Sequence, residues 1–194
     1  MKNTRKPSPK RQRLVDAAKA LLWDMGYESM SPQKILQKSG VGQGSLYHHF
    51  NGKVELASTA LDDMEAEMRA SFDQIFATHS SPLKRLRAYL CLEREGLRGC
   101  RLGRLANESA IADEALRAPL ARYFTHVQAV ITQTLDEAVQ GGDIDKSAPT
   151  TDIAAALVAV VQGGYTLSRI HQDPVHIKRA TQGALTLLNA LHPQ

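Results

Sequence analysis

Apolar residues recur along almost the whole chain at three- and four-residue intervals, and no stretch shows the period-two alternation of a half-buried strand. Leu14, Ala18, Leu21, Leu22 and Met25 paint one face of a first helix, predicted to stop at Gly26. Ser31-Pro32 opens a second, with a capping hydroxyl and a proline at the first helical position, and Gly40 ends it after two turns. A third, opened by Gly42 and closed by Asn51-Gly52, is as short.

Past this point the helices lengthen. Leu56, Ala60, Met64, Met68, Phe72 and Ile75 make a stripe that breaks near His79-Ser80-Ser81-Pro82, and Leu83, Leu86 and Leu90 begin another. Gly96 to Gly103 reads as a loop carrying Cys100, followed by a short helix from Leu105. Leu116 through Leu135 mark a long helix ended by Gly141-Gly142, and two more span about Thr151 to Ile170 and Val175 to Leu191. The expectation is an all-α chain of about nine helices.

The net charge of +4 says less than its distribution. Residues 1–53 hold 10 basic and 3 acidic side chains, and residues 54–194 hold 14 and 17. A basic head on a mildly acidic body implies two modules, the first facing a polyanion. An apolar share of 43% is enough for a packed core, and two cysteines are too few for a disulfide scaffold. The longest unbroken apolar run, Ile153 to Val161, is far short of the roughly 20 residues a bilayer requires, and no apolar segment of signal-peptide type follows the basic start. A cytoplasmic protein without membrane contact is expected. Neither a Gly-rich phosphate loop nor a nucleophile elbow is present, and His171 and His176 flank Asp173-Pro174 without a third ligand. No enzyme, metal or cofactor is therefore expected.

The chemistry concentrates between Ser31 and Lys53. Two short helices joined by a glycine turn, with Ile35, Leu36, Val41, Leu46 and Phe50 to lock them, form the layout of a helix-turn-helix. Its second helix leaves Gln43, Ser45, Tyr47, His48 and His49 facing outward: glutamine suits base edges, small residues permit close approach, and tyrosine, histidine and lysine donate to phosphates.

Ser39-Gly40-Val41-Gly42-Gln43-Gly44-Ser45-Leu46-Tyr47-His48-His49-Phe50-Asn51-Gly52-Lys53-Val54-Glu55-Leu56 closely resembles the DNA-binding stretch of the TetR family of bacterial regulators. Two departures stand out: Gly42 replaces the usual capping serine, and Gln43 replaces a frequent Lys or Arg. The resemblance implies a flexible basic arm at 1–9, a three-helix DNA-binding domain at 10–53, and a C-terminal effector-binding and dimerisation domain at 54–194. It places Gln43, Gly44 and Ser45 at base edges, Tyr47, His49 and Lys53 at phosphates, His48 at either, and Ser31 at a phosphate through its hydroxyl and the helix N-terminus. The arm residues Lys2, Arg5, Lys6, Lys10, Arg11 and Arg13 would track phosphates or enter a minor groove.

The same resemblance implies a homodimer through the last two helices, reading a palindromic operator on double-stranded DNA and released, as a repressor, by an unknown small molecule. The effector would sit among the apolar faces of the body, where Met64, Met68, Phe72, Val127 and Val161 supply walls. Tyr89, Tyr123, Phe124, His126 and Tyr165 add rings and polar handles. Gly99 to Glu108 resembles a Gly-Cys-x-x-Gly-x-Leu-x-x-Glu branch of the family, in which some members sense electrophiles or oxidants. Arg98, Arg101 and Arg104 would favour a Cys100 thiolate. Cys91 reads as a core residue. The alternatives are a Cys100-based sensor, or a ligand-binding helical protein with little DNA-binding role.

Overall fold

A computed structural model describes residues 8–192. Among them are eight α-helices and no strand: α1 (Pro9–Ser29), α2 (Pro32–Ser39), α3 (Gln43–His49), α4 (Lys53–Ala77), α5 (Pro82–Cys91), α6 (Glu114–Gln140), α7 (Thr150–His171) and α8 (Val175–Asn189). The expected short helix from Leu105 is instead a pair of 3-10 turns, Gly103–Asn107 and Ser109–Ala112, which brings the count from nine to eight.

The chain divides into two compact units. The first runs to Glu65 and takes back Arg101–Leu120; the second holds Ala66–Cys100 and Ala121 onward. This division differs from the expected boundary at residue 53, because the first turns of α4 and the 3-10 segment pack with the head. Lys2, Arg5 and Lys6 lie outside the described residues. Lys10, Arg11 and Arg13, expected in the arm, stand on α1 instead: Ser8 caps that helix by accepting from the Arg11 amide at 3.2 Å, and Pro9 follows at its first position.

In the first unit, Leu14, Val15, Ala18, Leu21 and Leu22 give α1 its buried face. Gly26 breaks the helix at φ 82° and ψ 175°, after which Tyr27 to Ser29 complete one further turn. The Ser31 hydroxyl caps α2 by accepting from the Lys34 amide at 3.3 Å, and Gly40 closes α2 in the left-handed conformation, φ 61°. The Arg13 guanidinium donates to the Ser39 carbonyl there, at 2.6 and 3.0 Å, tying α1 to the end of α2. Val41, Leu46 and Phe50 are buried. The Glu55 carboxylate accepts from the Asn51 amide at 2.7 Å and from the Asn51 side chain at 2.8 Å, which secures the entry to α4.

The second unit has its own core, in which Phe72, Phe76, Leu86, Tyr89, Leu90, Val127, Ile131, Leu135, Leu157 and Val161 pack together. The turn between α7 and α8 is set by Gln172 in the left-handed region and by the Ser168 hydroxyl, which accepts from the Ile177 amide at 3.0 Å. Gly164 lets the two helices approach: a Cβ there would lie 3.0 Å from the Ile177 Cα. By length and composition α7 is apolar enough to cross a membrane, with mean hydropathy 1.4 over its most apolar window and only 28% of that window buried. The unbroken-run criterion missed this because Gln162, Gly163 and Gly164 interrupt the run without ending the apolar face.

Candidate nucleic-acid interface and effector region

The head presents α3 as a two-sided element. Leu46 is 2% exposed and Phe50 is buried, while Gln43, Gly44 and His48 are exposed and Tyr47 is 53% exposed. A seven-residue helix gives each side chain a fixed bearing, so the apolar pair turns the polar residues outward. No atom lies within 4 Å of a Cβ built on Gly44, which leaves this face open to close approach. Gly42 caps α3 without a side-chain hydrogen bond.

Three expected phosphate contacts have partners of their own. Ser45 and His49 are half-buried, and the His49 Nε2 lies 3.2 Å from the Ser8 hydroxyl; its ring meets that of His48 edge-on at 4.9 Å. Ser31 uses an oxygen lone pair for its cap and keeps its hydroxyl proton for a further acceptor. Lys53 places its ammonium 4.0 Å over the Tyr27 ring. Burial there pulls the lysine below its ordinary range, and the Glu108 and Glu28 carboxylates push back. Arg11, which sequence reasoning put in the arm, stands on α1 with its guanidinium 5.0 Å from the Phe50 ring centre. Only the Ser8-Pro9 helix start marks it as ordered.

In the second unit, several expected effector residues come together. Phe72 meets Tyr89 edge-on at 5.6 Å and His126 at 6.0 Å, and Val127 and Val161 belong to the same core. Tyr123 and Tyr165 pack against it, and Phe124 stacks edge-on with Tyr123 at 5.3 Å. His126 Nε2 contacts the Asp73 carboxylate at 2.5 Å. Burial pushes the hydroxyls of Tyr89 and Tyr165 up to about 12, and Tyr123 higher still. In all three, Cys100 pushes the same way and Arg94 pulls back, which places these five groups in one electrostatic neighbourhood. Met68 is half-buried outside this core, and Met64 belongs to the first unit.

Two of the three cations expected around Cys100 have partners of their own. Arg98 pairs with Glu95 at 3.8 Å, and the Arg101 guanidinium stands over the Trp23 ring at 5.4 Å. Arg94 is the cation sensed by the tyrosines; it donates to the carbonyls of Tyr89, Leu90 and Leu92 at the end of α5. Cys100 is 7% exposed, whereas Cys91, expected in the core, is exposed. A cavity of about 650 Å³ opens where α5 ends against the start of α8, walled by Leu90, Cys91, Arg94, Val175, Lys178 and Thr181. None of the expected effector residues lines it.

Between α7 and α8 runs an apolar groove of about 540 Å³, walled by Ile153, Val160, Leu167, Ala180, Leu187 and Leu191. Gly163 and Gly183 have nothing within 4 Å of a built Cβ, and Leu187 is 72% exposed.

A basic three-helix head with an outward α3, joined to a helical body, defines a helix-turn-helix DNA-binding protein. Residues 14–60 match the family described as bacterial regulatory proteins, tetR family, and residues 82–184, more than half of the chain, match the tetracyclin repressor-like C-terminal domain. The chain belongs to the TetR family of transcriptional regulators. It is 27% identical over 181 residues to the transcriptional regulator AcuR of Cereibacter sphaeroides, covering 89% of this chain and 83% of AcuR. It is 24% identical over 169 residues to the transcriptional repressor DhaR of Mycobacterium sp. strain GP1, covering 86% and 85%. A TetR-family regulator from Cytophaga hutchinsonii shares the fold over the whole of both chains, with a TM-score of 0.87 at 16% identity. Such proteins regulate transcription and are not enzymes.

Proposed function

We propose that this protein is a cytoplasmic, homodimeric repressor that holds a palindromic operator and releases it when a small molecule enters the second unit. The observation that carries the reading is the two-sided α3, with Gln43, Gly44, Tyr47 and His48 exposed while Leu46 is buried. Gln43, Gly44 and Ser45 read base edges. Ser31, Tyr47, His49 and Lys53 hold phosphates, and His48 reaches either.

Dimerisation is supported by the α7–α8 groove. Its exposed leucines and bare glycines fit a second copy of the same two helices, which would cover the apolar face of α7 and leave none for a bilayer. Two heads held in this way meet successive major grooves about 34–36 Å apart. The name of DhaR supports the repressing sense. The effector binds beside the tyrosine-lined core, where Tyr89, Tyr123 and Tyr165 stay neutral and offer hydroxyls, and Phe72, Phe124, His126, Val127 and Val161 shape the wall. Cys100 serves as part of that wall: reactive cysteines are partly exposed, and this one is buried.

A mobility shift on the DNA upstream of the protein's own coding region tests the reading. A salt-sensitive, palindrome-specific complex is expected, and its absence at low salt would remove the operator role. Gln43→Ala should change which sequences are preferred, while Tyr47→Ala should weaken binding to all of them; equal behaviour would contradict the division of labour. Cys100→Ser should leave release by the effector in place. Its loss would restore the sensor reading.

A further inference from the structure

The phosphate-facing lysine does not stand alone in the head. Its ammonium rests on the Tyr27 ring, and Tyr27 sits just past the Gly26 break in α1. That break strips amides of their helical partners, and the Glu108 carboxylate takes two of them: Tyr27 N–H donates to Oε1 at 3.1 Å and Glu28 N–H to Oε2 at 2.7 Å. The Glu28 carboxylate answers in the other direction, accepting from the Ser109 amide at 2.9 Å and from the Ser109 hydroxyl at 2.6 Å. Two carboxylates thus cross-link segments that are about eighty residues apart in the chain, both within the first unit.

Gly26 is required by this arrangement on two counts. Its φ of 82° disfavours any side chain, and a Cβ there would fall 2.1 Å from Glu108 Oε1. The approach of a carboxylate this close to the backbone makes Glu108 part of the turn itself. Carboxylate-to-amide bonds are also stronger than neutral ones, so the turn is held more firmly than the solvated end of a helix would be.

We propose that Glu108 is a positioning residue for DNA binding, fixing the Tyr27 ring on which Lys53 docks and thereby holding the lysine at the phosphate backbone. The inference rests on the phosphate role of Lys53 given above. Lys53 opens α4 directly after α3, so the side chain that steadies it decides where one positive charge stands on the DNA-facing side. Without the clamp, the turn at 26–28 loses its acceptors, the ring drifts, and the ammonium is spread over many rotamers.

The test compares wild type, Glu108→Ala, Lys53→Ala and the double variant, each as the full chain. Binding is measured to the upstream fragment and to a duplex of unrelated sequence across a salt series. A lost phosphate contact lowers the salt slope by about one unit per subunit, a quantity that a loss of fold stability does not move. Glu108→Ala should lower the slope by as much as Lys53→Ala does, on both duplexes, and the double variant should lower it no further. Gly26→Ala should copy Glu108→Ala.

An unchanged slope in Glu108→Ala, or losses that add in the double variant, would overturn the proposal. Should the alanine variant fail to melt cooperatively, Glu108→Gln carries the same test with the side-chain length and one accepting oxygen kept; it should show part of the slope loss, and no loss would overturn the proposal. Wild type that binds the unrelated duplex but not the upstream fragment would remove the operator reading alone. A slope untouched by Lys53→Ala would remove the lysine's phosphate role, and the proposal with it.

Discussion

Leu46 and Tyr47 are neighbours in the chain and opposites in environment, one sealed in the head and the other turned out of it. Leu46→Ala should cost about 2–5 kcal/mol, the usual range for a truncated core leucine, read as a lower denaturation midpoint in urea. That pattern was legible in the sequence, because a short helix with one apolar spacing has only one way to turn. The docking of Lys53 was not legible: it depends on an aromatic ring from α1 and on a carboxylate brought from the 3-10 segment, and no local spacing announces either. The tyrosines make a second prediction at this scale. The Tyr89 hydroxyl, held near 12, lies above its ordinary unfolded value of about 10, so its contribution to stability is intact below about pH 10 and is lost as pH rises through 12. Tyr89→Phe should flatten the alkaline fall in thermal stability; an identical fall would show that other groups govern it.

Elements were predicted best where capping chemistry marks them. Ser31-Pro32 and Gly40 bound α2 as expected, and the side-chain and backbone hydrogen bonds at both ends give the reason. Ser31→Ala should lower stability by about 1 kcal/mol through the lost cap, and should also weaken DNA binding without altering sequence preference; calorimetry and a binding series separate the two effects. The 3-10 segment was misread as a helix because Leu105 and its flanking polar residues fit a helical period over too short a span to discriminate. What shapes it is tertiary: Glu108 and Ser109 spend their bonding groups on α1. The same competition explains Cys100, whose flanking arginines read as thiolate partners in the sequence. Glu95 lies against Arg98, and the Trp23 ring lies against Arg101, a contact that local spacing does not announce.

For the molecule as a whole, the α7–α8 groove carries the next prediction. Leu187→Glu would place a charge in the middle of the apolar face, and sedimentation should report a shift from dimer to monomer together with loss of palindrome-specific binding. A variant that remains dimeric would point to another interface. The fold class and the head were readable from periodicity and one dense motif. The partition into units was not, since a linear boundary cannot express a unit that takes back a later stretch of chain. That discontinuity bears on how the protein is made. A head that includes Arg101–Leu120 cannot be completed when residue 65 has been synthesised; it waits for the ribosome to deliver some fifty further residues, several seconds at ordinary elongation rates. During that interval the basic surface exists without its carboxylate clamp, so a nascent chain would meet nucleic acid with Lys53 unsteadied until Glu108 has arrived.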